Sequence, residues 1–400
     1  MKICRIVYDW PPPWSGLSPH PYEITVSQLK MGHDVHVFCG RWPSAGKIEC
    51  PKNLKVYPVL REPFKGSIAF TSSVVVFFKY ISWRKKNKDV DIIHSHGHFA
   101  MWIYAYRLFL QKFFPWSAEL KIPLVVHFHN TVKGRWEKAI EEEKNISLVS
   151  KYISWPLALL SDKLAVKSAS ACIFVSKQTA EQAIKYYNVD TRRSFIVETG
   201  VNPILFKRVG EEERNKSRAE LGYDIYDKVI LNYGMMVERK NIHLLVEAIS
   251  YLPEEYKLML VGEWPDLKYT EKVNEIIKTK HLEDRILKVK YTPYPQIPIA
   301  LQNADVMVLP SSFEGLPKVV VESLCIGLPS LVSGFTMKNE IDGLYYIKKL
   351  ESQKIAEEIE NIFLKKVKVA SSKIILEYSW DVKAKEIQGI YEFSKNNYLA

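Results

Sequence analysis

Two acidic residues, Glu314 and Glu322, stand eight positions apart in the stretch FEGLPKVVVESLCIGLPS, with Gly-Leu-Pro directly after the first. The plain reading is a cap and a solvated helix residue, because a carboxylate just ahead of a helix interacts favourably with the positive end of its dipole. The local pattern allows more. Pro317 suits a first helical position and Gly327 a terminator, which puts Glu322 inside a helix and Glu314 in the loop before it. Eight helical steps span at most ~12 Å. That is too far for the ~5–5.5 Å carboxylate pair of a double-displacement glycosidase. The two acids could instead hold opposite ends of one elongated ligand. N–H groups at the helix start suit phosphate, so a sugar at Glu314, a diphosphate over the helix start and a ribose at Glu322 fit the layout.

Histidines form a second constellation. Two strand-like runs end in HSHGH (94–98) and HFHN (127–130). His94, His96 and His98 share a face if their strand continues that far, and zinc accepts three histidines with an open position. No Asp or Glu ligand lies nearby in sequence, and His98 is expected past the strand end. For His94 and His127 the alternative is a hydrogen-bonded core histidine. His129, at the last position of its strand and facing a cleft, is expected to be functional. A third feature is the loop after the first strand, YDWPPPWSGLSPHPYEI. Three prolines stiffen it, and Gly16 permits close backbone approach before a helix opens near Pro19, an arrangement suited to an anion.

These groups need elements to hold them. The runs KICRIVY, HDVHVF, DIIHSH, PLVVHFH, ACIFVS and SFIVE alternate with helical patterns, and the series restarts after residue 200 with KVILNYG, YKLMLVG, RILKVKY, DVMVLP and PSLVSG. Two such series predict an α/β protein of two doubly wound domains, with residues 197–223 as linker and ligands beyond the carboxyl ends of the strands.

Composition narrows the function classes. At 47% apolar and 25% charged the chain can build full cores. Five scattered cysteines without C-x-x-C argue against a disulfide framework or zinc ribbon and for a reducing compartment. No signal-peptide pattern opens the sequence, and no apolar run is long enough to span a bilayer. The net charge of +11 raises nucleic acid as a partner, but zinc-finger spacing, RNP-like motifs and a continuous basic helix are all missing. Residues 70–88 and 101–114 mix aromatics with Lys and Arg. They are read either as interfacial helices on an anionic membrane or as helices packing an apolar face on a sheet.

FEGLPKVVVES resembles the E-x7-E motif of the retaining glycosyltransferases of GT-B architecture, the large family 4 group. Further segments match that family in order. They include the first strand-loop-helix, DIIHSHG, PLVVHFHN, FIVETGVNPILF, SRAELG, NYGMMVERKNIHLLVEAI, LMLVGEWP, RILKVKYTP and DVMVLPSSFEGLP, with YSWDVKAKEIQGIYE as a closing helix that crosses back. The resemblance implies two Rossmann-like domains facing across a cleft. Residues 1–205 would form the acceptor domain, joined by helix 379–400, and 206–378 the nucleotide-sugar donor domain. It implies that Glu322 binds ribose hydroxyls and Glu314 the donor sugar. Lys240 neutralises the diphosphate with help from Gly16, Gly234 and the amides of Gly315 and Leu316. His129 touches the sugar near the reacting carbon, and Tyr291 lies beside the base. Glu314, His129 and Lys240 are then the catalytic set. Arg239 joins the donor-binding set, with a solvated helix-start residue as its alternative.

No metal or other cofactor is implied, since Lys240 and helix dipoles stand in for a cation. The implied enzyme is a retaining, metal-independent hexosyltransferase. It uses a UDP- or GDP-linked sugar, and its acceptor is a glycan or lipid-linked hydroxyl. The cysteines lead to the expectation of a cytoplasmic setting, and the aromatic-basic segments 70–88 and 101–114 alone to that of a peripheral place on the inner face of the cell membrane. The sequence departs from the family pattern in three places: Leu17 follows Gly16, Met235 replaces an arginine after Gly234, and FTMKNEIDGLYY is compressed. Two rivals remain, a nucleotide-sugar epimerase of the same architecture and a catalytically silent sugar-nucleotide-binding subunit.

Overall fold

Runs of β-branched and aliphatic residues such as Leu124-Val125-Val126 and Val306-Met307-Val308 become short parallel strands, buried on both faces as parallel sheets require. The computed structural model describes residues 1–400 apart from Pro13, Ser15, Gly16, 41–50, 61–66, 142–146, Tyr291, Lys338, 366–368 and 399–400. The chain divides into two units, Met1–Glu198 with Trp380–Ala400, and Thr199–Ser379.

Among the described residues the first unit has seven strands: β1 (Lys2–Ile6), β2 (Asp34–Gly40), β3 (Leu54–Leu60), β4 (Ile92–His96), β5 (Leu124–Phe128), β6 (Ala171–Phe174) and β7 (Ser194–Ile196). Their order is β3-β2-β1-β4-β5-β6-β7, all parallel. Helices Pro19–Lys30 and Trp380–Tyr398 cover one face, where Ile3, Val35 and Ile92 meet Ile24, Ile387 and Tyr391. On the other face Ile6, Ile93 and Phe128 pack with Val76 and Tyr80 of helix Ile68–Lys86 and with Ile103 and Tyr104 of helix Met101–Phe113. The closing helix is tied in by Ser27 Oγ to Asp381 (2.6 Å) and Lys395 Nζ to Asp91 (2.7 Å).

The second unit repeats the plan with β8 (Lys228–Tyr233), β9 (Tyr256–Val261), β10 (Ile286–Val289), β11 (Val306–Leu309), β12 (Ser330–Val332) and β13 (Leu344–Tyr346). The order β10-β9-β8-β11-β12-β13 reverses between β8 and β11, the switch point where doubly wound sheets bind ligands. Two strands were not legible in the sequence. β3 carries Pro58, tolerated because the strand lies at the sheet edge, and β13 is three residues long.

The division between units falls at residue 198, earlier than the boundary at 205 suggested by the sequence. Val201 bridges Ser379, its N–H donating to the Tyr378 carbonyl (2.8 Å), and the rings of Phe206 and Tyr294 lie 5.7 Å apart. Residues 199–205 therefore belong to the second unit. Cys4, Cys39, Cys172 and Cys325 are free and buried.

Asp305 locks helix Glu211–Glu220 to this second sheet. Its carboxylate accepts from the Val229 N–H (2.7 Å), Arg214 (2.5 Å) and the buried Arg218 (3.1 Å). Asp305→Ala leaves the buried Arg218 without its counter-charge, while Arg214 keeps Glu211 at 3.8 Å, and should destabilise the second unit by about 3–5 kcal/mol. Urea unfolding followed on that unit's transition checks this. A loss below ~1 kcal/mol means that solvent screening makes the pair dispensable.

Candidate functional site

β8 ends at Tyr233, and Gly234 follows with φ +132°. A Cβ at Gly234 would lie 2.4 Å from Lys240 Nζ, so the absent side chain makes room for the ammonium. Gly262, directly after β9, backs the same bend: a Cβ there would meet the Gly234 carbonyl oxygen at 1.8 Å. The chain then makes a 3-10 turn over Glu238–Lys240, and Asn241 takes a left-handed φ of +49° before helix Ile242–Ile249. Lys240 is buried. Burial lowers its pKa, the Glu314 carboxylate opposes that shift, and Arg239 adds to it.

The loop after β11 is clamped against this turn. Ser312 N donates to the Arg239 carbonyl (2.8 Å), and Asn241 Nδ2 donates to the Pro310 carbonyl and to Ser312 Oγ (both 2.9 Å). On the other side Glu314 N donates to the Gly334 carbonyl (2.9 Å), and Ser333 Oγ to the Ser311 carbonyl (2.8 Å). Within the clamp, Glu314 Oε1 accepts from Ser311 Oγ (2.9 Å) and Arg239 Nη1 (2.8 Å). Arg239 Nη1 also donates to the Phe313 carbonyl at 2.8 Å. Arg239 is thus neither a solvated helix-start residue nor a free cation, because its guanidinium lies along the Glu314 loop.

Helix Lys318–Cys325 follows, with Pro317 one position outside it in an extended conformation and no side chain capping its start. Pro317 is therefore the flanking residue rather than the first helical one expected. Gly315 is half-buried before the helix and Leu316 buried, while Glu322 within it is 2% exposed. Gly327 ends the helix with φ +82°, and Leu328 N donates to the Ser323 carbonyl (2.9 Å). Gly234, Arg239, Lys240 and Glu314 thus meet beyond the carboxyl ends of β8 and β11, with Gly315 and Leu316 next in the same loop and Glu322 inside the helix that follows. Met235 is 53% exposed. Gly16 and Tyr291 lie outside the described residues, although Tyr233 Oη donates to the neighbouring Thr292 carbonyl (3.0 Å).

In the first unit β4 stops at His96, and Gly97 with φ +65° turns the chain into a 3-10 segment that carries His98 away from the strand face. His129 lies just past β5, its Nε2 3.1 Å from His96 Nδ1. His94 is hydrogen-bonded through Nδ1 to Tyr391 Oη (2.5 Å), as a core histidine can be. His127 differs from that expectation, since both its nitrogens are buried without a hydrogen-bond partner. His20, missed in the sequence reading, opens helix Pro19–Lys30. Its ring meets His127 and His129 edge-on at 5.0 and 4.6 Å.

Residues 213–371 match the glycosyl transferases group 1, and residues 14–204 match glycosyltransferase family 4. The chain belongs to the group 1, family 4-like glycosyltransferases. It is 29% identical to the putative teichuronic acid biosynthesis glycosyltransferase TuaC of Bacillus subtilis, with 90% of this chain and 88% of that one aligned. Its fold is that of the sucrose-phosphate synthase of Thermosynechococcus elongatus (TM-score 0.77, 18% identity, 98% of each chain). Anabaena HepE in complex with UDP-glucose shares it too (TM-score 0.71, 17% identity, 97% of this chain and 98% of that one). The GT-B architecture of two Rossmann-like domains follows.

Sequence reasoning for this glycosyltransferase missed Gly262, Ser311, Asn241 and Gly334. Gly262 carried a signal, a glycine ending an apolar run. Gly334 did not: its φ of +85° matters because a Cβ would lie 2.6 Å from the Ser311 carbonyl, a contact between segments distant in sequence.

Three substitutions separate the roles. Lys240→Ala should slow sugar transfer about a hundred- to thousand-fold, the effect of removing one donor to a developing anion. Gly234→Ala, by displacing the ammonium, should slow it by up to ~100-fold. Arg239→Ala should lower kcat while leaving the donor KM nearly unchanged, because its guanidinium acts through Glu314. Steady-state kinetics check all three. A rise in KM alone for Arg239→Ala would mean it binds donor directly.

Proposed function

We propose that this glycosyltransferase moves a hexose from a nucleotide-diphosphate sugar, UDP- or GDP-linked, to a hydroxyl acceptor, with retention of anomeric configuration and without a metal ion. The observation that carries the reading is the buried Lys240 ammonium at Gly234, beside the Arg239–Glu314 pair at the switch point of the sheet. When the bond from anomeric carbon to phosphate oxygen breaks, its electron pair leaves with the diphosphate, and a preorganised cation there acts where charge develops. Glu322 is assigned to the ribose, Glu314 to the sugar, and the amides of Gly315 and Leu316 to the phosphates. Gly16 is assigned to the phosphates as well and Tyr291 to the base. His129 is the catalytic contribution of the first unit. The HepE complex with UDP-glucose supports a uridine donor. Incubation with UDP- and GDP-hexoses, acceptor glycans and excess chelator, followed by NMR of the product, tests the reading. Turnover with a retained anomeric configuration is expected. An inverted product, or activity lost to the chelator and restored by a divalent ion in protein whose melting temperature the chelator leaves unchanged, overturns it.

The acceptor we propose is lipid-linked, met at the cytoplasmic face of a membrane by a peripherally bound enzyme. No helix among the described residues is long and apolar enough to cross a bilayer. Helices Ile68–Lys86 and Met101–Phe113 bury one side, yet Phe78 is 67% exposed, and Phe109, Phe113, Phe114 and Trp116 form an exposed aromatic cluster. Lys79, Lys85, Lys86 and Lys112 are exposed on the same two segments, whereas Arg84 is engaged by Glu119 at 3.2 Å. Aromatics with lysines suit the interface of an anionic bilayer. Flotation with anionic vesicles should show binding at low salt that weakens towards ~1 M, where screening acts within ~3 Å. Trp116→Ala with Phe113→Ala should reduce it. Equal flotation with neutral vesicles removes the role of the lysines, and none at low salt removes the membrane reading.

A further inference from the structure

We propose that His94, His96 and His127 form a binding site for one transition-metal ion, of which zinc is representative, wholly within the first unit. The strand register creates the arrangement. His94 and His96 lie two apart on β4 and share a face, and the register pairs His96 with His127 on β5. One ring nitrogen from each lies within 4.8 Å of the others, and all three side chains are buried.

The hydrogen bonds leave at least one nitrogen of each ring without a partner. His94 uses Nδ1 towards Tyr391 Oη (2.5 Å), and His96 uses Nδ1 towards His129 Nε2 (3.1 Å). The Nε2 atoms of both, and both nitrogens of His127, are buried without a hydrogen-bond partner. Metal-ligating histidines characteristically donate their second N–H to an acceptor, as His96 Nδ1 can to His129. His94 Nδ1 instead lies beside the Tyr391 hydroxyl and the Arg5 guanidinium, so binding an ion through Nε2 must move the ring proton to Nδ1. Four orphaned nitrogens in one cluster carry a desolvation penalty, and one ion would give a partner to three of them, leaving the second nitrogen of His127. Zinc takes imidazole in its neutral form.

Three neutral imidazoles with an open fourth position suit zinc. Bonds of about 2.0–2.1 Å need nitrogens roughly 3.3 Å apart. The three rings are nearly parallel, 4° to 20° between planes, so they must turn about the soft bond to the ring to converge. Arg5 opposes the ion, its Nη2 lying 3.4 Å from His94 Nδ1 while Gln28 Oε1 holds it at 2.7 Å. A metal on His96 Nε2 would put the proton on Nδ1 and make that atom the donor to His129. The inference does not rest on the transferase reading, because binding alone tests it.

Tag-free protein dialysed against zinc and a competing chelator should hold one zinc per chain and melt several degrees higher than the zinc-free form. His127→Leu should abolish stoichiometric zinc yet melt no lower in zinc-free buffer, since it replaces an orphaned imidazole with an apolar side chain. Tyr391→Phe should keep the stoichiometry and weaken affinity about 10- to 100-fold. His94→Gln serves as the ligand deletion if His127→Leu does not fold. Substoichiometric zinc in the wild type, or zinc bound equally by the ligand deletion, overturns the site, and ordered water is then the partner of the orphaned nitrogens.

Discussion

The second unit's candidate site depends on one close approach, the Lys240 ammonium occupying the volume that a side chain at Gly234 would fill. That approach requires the bend after β8, which in turn requires the Gly262 backbone to pass within contact of the Gly234 carbonyl. With the cation buried, the nearby Glu314 carboxylate becomes its electrostatic partner, and Arg239 holds that carboxylate from the other side. A cation desolvated in this way is stabilised only by groups already in position, so the clamps on the 310–316 loop belong to the same device. Met235 lies outside it, exposed where the family pattern has an arginine.

The two units share a strand plan but use their sheet faces differently. In the second unit polar groups concentrate in loops beyond the strands, above an aliphatic core of residues such as Ile230, Leu258 and Val308. In the first unit polarity reaches into the sheet itself. Arg5, His94, His96 and His127 lie in register across β1, β4 and β5, beneath the helices that carry His20, Thr25, Gln28 and Tyr391. Arg5 donates through Nη1 and Nη2 to the Pro21 carbonyl, Thr25 and Gln28, while its buried Nε has no hydrogen-bond partner. The histidines beside it are incompletely satisfied, and each must stay neutral because a proton there would be both desolvated and next to a guanidinium.

Much of the architecture was legible because parallel strands buried on both faces leave continuous apolar runs, and helices between them leave period-3.6 patterns. Short or proline-bearing edge strands such as β3 and β13 carry neither signal. The candidate residues at strand ends were likewise legible, since doubly wound sheets bind ligands there whatever their chemistry. The role of Arg239 was not, because its neighbour in sequence, Lys240, projects in a different direction and only the loop after β11 shows which of the two meets the carboxylate.

By itself the sequence determined the fold class, the family, and the identity of the charged groups at the ends of β8 and β11. These are properties of pattern and local spacing, which neighbouring residues set. Only the tertiary structure decided that Gly234 and Gly262 touch, that Gly334 supports Glu314, and that His127 stands beside His96 with no hydrogen-bond partner. Each of these joins segments far apart in the chain, and their distance is set by strand register and helix packing, which no local pattern encodes.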